Sequence, residues 1–368
     1  MSDVKKSAWP DGRLLDLFGI ELPIVQAPMA GPNLHEMAVA VSEAGGLGSL
    51  PCALLSPAQQ REQLRLIRAG TRKPINLNFF CHRPPPPDAA REAAWRERLS
   101  GYYLELGADP QAPVPASNRQ PFDADSAALI EECRPEVVSF HFGLPEPVLL
   151  DRVKASGAKL IASATTVAEA RWLEAQGIDA IIAQGFEAGG HRGLFLDDDL
   201  ATQVGTFALV PLIVDAVRLP VIAAGGIGDP RGIHAAFALG AAAVQIGTAY
   251  LFTPEARLPA PHRAALRSEA AERTALTNLF TGRPARGIVN RLMREVGPIS
   301  PLAPAFPLAG GALLPLRAAS EPKGDAGAGD FMSLWSGQAA PLARRDLDAA
   351  ALTRWLAEEA LKRIAPAR

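Results

Sequence analysis

"PVIAAGGIGDPRGIHAAFALGAAAVQIG", Pro220 to Gly247, holds one full structural beat. A short apolar run ends in the pair Gly225-Gly226. "GDP" at Gly228 then opens an amphipathic stretch with proline at its first position, where the missing N–H costs nothing. That stretch reads as a helix from Pro230 to Leu239, and "AAVQIG" from Ala242 is a second apolar run. Two strands joined through a helix run parallel, so the stretch predicts an α/β fold.

The same beat recurs outward along the chain. "LPIVQAP" at Leu22, "GLGSL" at Gly46, "PINLNFF" at Pro74 and "EVVSFHFG" at Glu136 read as strands, as do "AKLIASA" at Ala158 and "DAIIAQG" at Asp179. Helices are expected between them, from about Asn33 to Ala44, from Pro57 behind the N-cap Ser56, and over Thr166–Gln176. Parallel strands with helical crossovers fit a doubly wound sheet or a (β/α)8 barrel, and eight beats in one chain favour the TIM barrel. Glycine and polar residues gather just past the strand ends, the face where such barrels place their chemistry.

Two segments interrupt the rhythm. Residues 81–122 hold a proline-stiffened loop and an extra helix after the third strand. Residues 252–340 form a block with its own helices and a Pro/Gly-rich part, before "RRDLDAAALTRWLAEEALKRI" supplies a closing helix. The expected organisation is a barrel of residues 1–251 and 341–368, with 252–340 as a cap inserted between the eighth strand and that helix.

Composition narrows the class. The chain has 368 residues, 48% hydrophobic and 21% charged, with a formal net charge of −2, which gives no general pull toward nucleic acid or anionic membrane. Cys52, Cys81 and Cys133 lie far apart in no ligand spacing, predicting a reduced, cytoplasmic setting and no metal site. The first residues lack the apolar core of a secretory signal. Neither long uncharged window, 232–254 nor 297–316, reads as a membrane span; the second carries five prolines.

The loops after the seventh and eighth strands are glycine-rich where barrels bind phosphate through backbone N–H groups. Tight turns are the plainer alternative. No G-x-G-x-x-G opens a helix after the first strand, so a flavin mononucleotide suits the site better than a dinucleotide. Its ring would lie toward "QAPMAGP", where Met29 and Ala30 offer backbone N–H groups, and toward the amides of Asn78 and Gln184. Either amide could instead cap a loop. "AQGFEAGGHRG", Ala183 to Gly193, leaves the sixth strand through many glycines, implying a close approach of the main chain at Gly189 and Gly190. His191 follows at the same strand end. Glu187 reads as a residue holding this loop, Arg192 as a solvated loop arginine, and His35, His82, His234 and His262 as surface or packing residues.

Jointly, "AQGFEAGGHRG", "AAGGIGDPRGIHAAFALGAAAVQIGTAYL", "QAPMAGP", "SFHFGLP" and "DFMSLWSGQ" resemble the nitronate monooxygenases of the class I type, over nearly the whole chain. The resemblance implies an FMN-dependent TIM-barrel enzyme that oxidises alkyl nitronates such as propionate 3-nitronate with O2 to carbonyl compounds and nitrite. It implies His191 as the catalytic residue, His141 in the substrate pocket, and flavin contacts at Asn78, Gln184, Gly189, Gly225, Gly226, Gln245, Ile246, Gly247 and Thr248. The family's P-A-Y-P stretch reads Pro304-Ala305-Phe306-Pro307 here, which bears on substrate preference. Two other readings stay open: an FMN-dependent NAD(P)H-using enoyl-acyl-carrier-protein or quinone reductase on a similar barrel, and a non-catalytic flavin-binding protein.

Overall fold

The computed structural model describes residues 8–114, 117–320 and 327–364, so the ends of the expected barrel and part of the expected cap lie outside the described residues. Eight parallel strands form the centre: β1 (Ile24–Gln26), β2 (Gly48–Pro51), β3 (Ile75–Phe80), β4 (Val137–His141), β5 (Lys159–Ala164), β6 (Ala180–Gln184), β8 (Val221–Ala224) and β9 (Ala243–Ile246). Their order is β1-β9-β8-β6-β5-β4-β3-β2, and a parallel bridge between Val25 and Leu47 joins the two ends of that row. The result is the TIM barrel that the sequence rhythm predicts. Its strands are buried on both faces, which is why they read as continuous apolar runs.

Local chemistry sets the helix starts. Ser56 and Gln59 form a reciprocal capping box ahead of the helix Pro57–Gly70. Asp229 accepts from the Arg231 N–H at 2.9 Å, opening the helix Pro230–Ala238 with proline in its first turn. Ala349–Ile364 packs against the helices Pro230–Ala238 and His35–Glu43 and completes the outer ring. A short helix, Arg13–Phe18, buries Leu14, Leu15 and Phe18 against this core. Sequence reading took that segment only as a charged leader, because six residues show too little periodicity to register as a helix.

The interrupting segments meet one another. Trp95, Leu99 and Tyr103 of the helix Ala89–Leu106 share an apolar cluster with Leu279, Leu292 and Leu316. Trp95 Nε1 donates to the Ala309 carbonyl at 3.0 Å. A second sheet joins β10 (Thr274–Thr277), β11 (Ala285–Ile288) and the two-residue β7 (Gly190–His191), all antiparallel. β11 thereby reaches across to the loop that follows β6.

Candidate active site

One cavity opens at the carboxyl mouth of the barrel. Met29, Ala30, Asn78, His141, Gln184, Gly189, Gly190 and His191 line it, together with Gly225, Gly226, Gln245, Gly247 and Thr248. Ile246 does not. It is buried in the barrel wall, since successive side chains of β9 alternate in direction and Gln245 takes the cavity side.

The loop Gly185–Gly193 is held from several directions. Glu187 accepts from the Thr206 N–H at 2.8 Å and from the Thr206 hydroxyl at 2.8 Å, pinning the loop to the first turn of the helix Thr206–Ala216. Arg192 departs from the sequence reading. It is completely buried, donating to the Gly185 carbonyl (2.6 Å), the Gln184 carbonyl (2.7 Å) and the Gln203 side chain (3.0 Å). A guanidinium's fixed fork of donors suits it to gather carbonyls that the bent main chain turns inward, so Arg192 braces the loop from inside. Gly189 also has a protein reason: a Cβ there would come within 2.5 Å of the Gly337 nitrogen. Gly190 needs its positive φ of 72° and meets nothing within 4 Å.

Gln184 works within the loop as well. Its Nε2 donates to the His191 carbonyl at 2.9 Å and its Oε1 accepts from the Gly193 N–H at 2.7 Å. Asn78 Nδ2 donates to the Ser139 hydroxyl at 3.0 Å across the β3–β4 pairing. The Met29 N–H, which the sequence reading offered to a ligand, instead donates to Asn33 Oδ1 at 2.7 Å.

His191 sits on β7, where its backbone pairs with Ala285 of β11. Its Nε2 lies 2.9 Å from Thr281 Oγ1, and that hydroxyl lies 3.3 Å from the Arg283 carbonyl. A carbonyl only accepts, so the hydroxyl proton goes to Arg283 and Thr281 accepts from His191 Nε2–H. This network assigns the proton to Nε2 and leaves Nδ1 as the lone-pair nitrogen. Burial drives the His191 pKa well below its usual value, with the positive charge of Arg119 next in weight. His141 lies beside it: Nδ1 is 3.0 Å from the Ser163 hydroxyl and Nε2 is 3.3 Å from the His191 carbonyl. Burial pushes its pKa down to about 3, so it is neutral near pH 7.

Aromatic rings close the space around His191. Phe306 and Trp335 lie 5.3 and 5.5 Å from its ring, with Phe142 and Phe80 at 5.8 and 6.2 Å. His82 stacks edge-on to Phe306 at 4.8 Å, and His262 Nε2–H donates to the Trp335 carbonyl at 3.0 Å. Both are packing histidines, as expected, but they pack in the wall of this site. Sequence reasoning missed Thr281, Phe80, Phe142, Arg119 and Trp335. Their only signal was position in the two interrupting segments, at the end of a strand (Phe80) or one residue past it (Phe142).

The free space has a shape that the protein does not require. Gly247 has an ordinary backbone (φ −110°), and a Cβ there would meet only Ala27 at 3.4 Å and Met29 sulfur at 3.7 Å. No acceptor among the described residues takes the N–H groups of Gly226 or Gly247. Gln245 Oε1 is buried without a partner at the same wall. Amides and a bare glycine at the loops after β8 and β9 fit a phosphate-bearing ligand, and the orphaned oxygen fits a donor on it.

A polar, glycine-lined cavity at the carboxyl mouth of an eight-stranded barrel, with a half-buried neutral histidine, is the architecture of a barrel enzyme. The chain belongs to the nitronate monooxygenase family: the model of that family matches residues 11–359. It is 46% identical to a nitronate monooxygenase of Paraburkholderia phytofirmans over 349 residues, 94% of each chain. A nitronate monooxygenase of Pseudomonas aeruginosa is 44% identical, covering 94% of this chain and 98% of its own. A solved nitroalkane oxidase from Streptomyces ansochromogenes superposes with a TM-score of 0.83 at 39% identity, covering 95% and 98% of the two chains. FabK from Thermotoga maritima is more distant, at 0.70 and 27%, covering 96% of both. The protein is an oxidoreductase of this family.

Proposed function

We propose that the protein is an FMN-dependent nitronate monooxygenase that uses O2 to turn alkyl nitronates, propionate 3-nitronate among them, into carbonyl compounds and nitrite. The observation that carries this reading is His191, half-buried and neutral, with no partner for Nδ1 among the described residues, in a cavity whose other walls suit a flavin phosphate. When bound, FMN supplies the capacity to accept electrons from the nitronate and pass them to O2.

The chain's own residues do the rest. Gly226 and Gly247 would offer N–H groups to the phosphate, and Gln245 and Asn78, which line the same cavity, would hold the rest of the flavin. The Gly185–Gly193 loop, braced by Glu187 and Arg192, sets the height of His191 over the cavity. Thr281 fixes the imidazole tautomer, so Nδ1 accepts the α-proton of a neutral nitroalkane. A nitronate arrives without that proton and so makes no demand on His191 as a base. Phe80, Phe142, Phe306 and Trp335 exclude water from the reacting carbon. Residues 252–340 supply Thr281, Phe306 and Trp335, and we assign them as the cap.

The decisive experiment uses the purified protein. FMN released in about equimolar amount, nitrite formation from propionate 3-nitronate in air, and no steady NAD(P)H consumption are the expected results. Steady NAD(P)H oxidation would move the assignment to the reductases. Flavin without either activity would make the protein a binding module.

A further inference from the structure

Arg119 follows the helix Ala89–Leu106 and lines the active-site cavity. Among the described residues its guanidinium has no hydrogen-bond or ion-pair partner; its backbone N–H donates to the Ser117 hydroxyl at 3.2 Å. Other arginines around the site are occupied. Arg192 holds three acceptors, Arg286 donates to the Phe186 carbonyl at 2.9 Å, and Arg283 bonds the Leu194 carbonyl and lies over the Phe142 ring. Burial lowers the Arg119 pKa, and its charge bears directly on His191 and on His82. A partly buried cation without a counterion is costly unless a ligand completes it.

Among the described residues no carboxylate at this side of the cavity answers that charge. Glu187, which also lines the cavity, is engaged by Thr206. The neighbours of His191 are instead the apolar rings of Phe80, Phe142 and Phe306. A substrate whose nitro group lies at His191 therefore finds, beside it, an apolar passage and one open guanidinium. Guanidinium matches a carboxylate in geometry and charge.

We propose that Arg119 is a specificity-determining residue, binding a carboxylate at the tail of the nitronate and so selecting substrates with a second negative charge. The proposal rests on the nitronate reading of the site. Its test compares Arg119→Gln and Arg119→Lys with the unaltered holoenzyme on two substrates. One is propionate 3-nitronate; the other is the nitronate of 3-methyl-1-nitrobutane, in which an isopropyl group replaces the carboxylate at similar size. For Arg119→Gln, the preference for the carboxylate substrate in kcat/KM is expected to fall roughly 10- to 100-fold, the range of a charge-assisted hydrogen bond, mainly through KM. Arg119→Lys should restore part of it.

Equal losses on both substrates would overturn the proposal, placing Arg119 at the nitro group or in the fold. No loss on either would overturn it too. Calorimetric binding of 3-nitropropionate in its nitro form gives a readout independent of turnover. Weaker binding to Arg119→Gln supports carboxylate capture even if nitronates prove not to be substrates, whereas unchanged binding removes it.

Discussion

His191 illustrates how little a residue's type says without its surroundings. Alone, an imidazole titrates near neutrality; here burial and Arg119 hold it unprotonated, and Thr281 selects the nitrogen that keeps the proton. His191→Asn should keep FMN, because the flavin contacts proposed above are amides and backbone groups. Turnover of neutral nitroalkanes should fall by about 10²–10⁴-fold, since asparagine accepts no proton as a base. Turnover of preformed nitronates should fall less, because they carry no α-proton for a base to remove. Wild-type rates on both would remove His191 from the mechanism and leave His141 as the candidate. Thr281→Val tests the tautomer. Losing one neutral hydrogen bond should slow nitroalkane turnover roughly 3- to 10-fold, shift the pH profile of that reaction, and spare FMN content. An unshifted profile would mean that Thr281 only packs.

At the scale of elements, the loop after β9 makes a sharp case. Glycine is usually kept for a positive φ or for a close protein neighbour, and Gly247 shows neither. On the function proposed above, the space over its Cα is where the flavin phosphate would lie. Gly247→Val should therefore fold with nearly unchanged thermal stability yet carry markedly less FMN, read as flavin absorbance per protein. Full FMN occupancy would remove the phosphate from this loop. Gly189 behaves in the opposite way, because any side chain there meets the 336–337 backbone and disturbs the fold first. The same contact shows how the loop after β6 and the segment before the last helix are locked together.

Across the whole molecule, four histidines, two buried and two half-buried, tie stability to pH. Burial lowers His82 and His262 to about 4 and His141 to about 3, and places His191 well below its usual value. In the unfolded chain each titrates near 6.5. The unfolded state thus binds protons that the folded state refuses once the pH drops below about 6.5. Stability is fully present above that value and is lost as pH falls toward the folded pKa values of about 4 and 3. The urea midpoint should accordingly decline between about pH 6.5 and 4.5, before most carboxylates titrate. A flat midpoint over that range would show that these histidines are hydrated in the folded protein.

The sequence by itself determined the barrel and the neighbourhood of its mouth. Strand runs, glycine turns and capping residues are local signals, and each element forms where its own residues dictate, as Ser56 and Asp229 show. The residues past the strand ends share one face in any parallel barrel, so Asn78, His141, Gln184 and His191 could be gathered without coordinates. Only the tertiary structure decided what those residues do to one another. Arg192 looks like a solvated loop arginine in sequence, yet the Gly185–Gly193 turn directs the Gln184 and Gly185 carbonyls inward, where its guanidinium bonds both. Thr281 lies ninety positions from His191, and Arg119 in a segment whose helix packs on another insertion, so no local pattern connects them to the site. Hydrogen bonds and charge act through space, and the spacing of residues along the chain carries that information only where an element's own geometry fixes it.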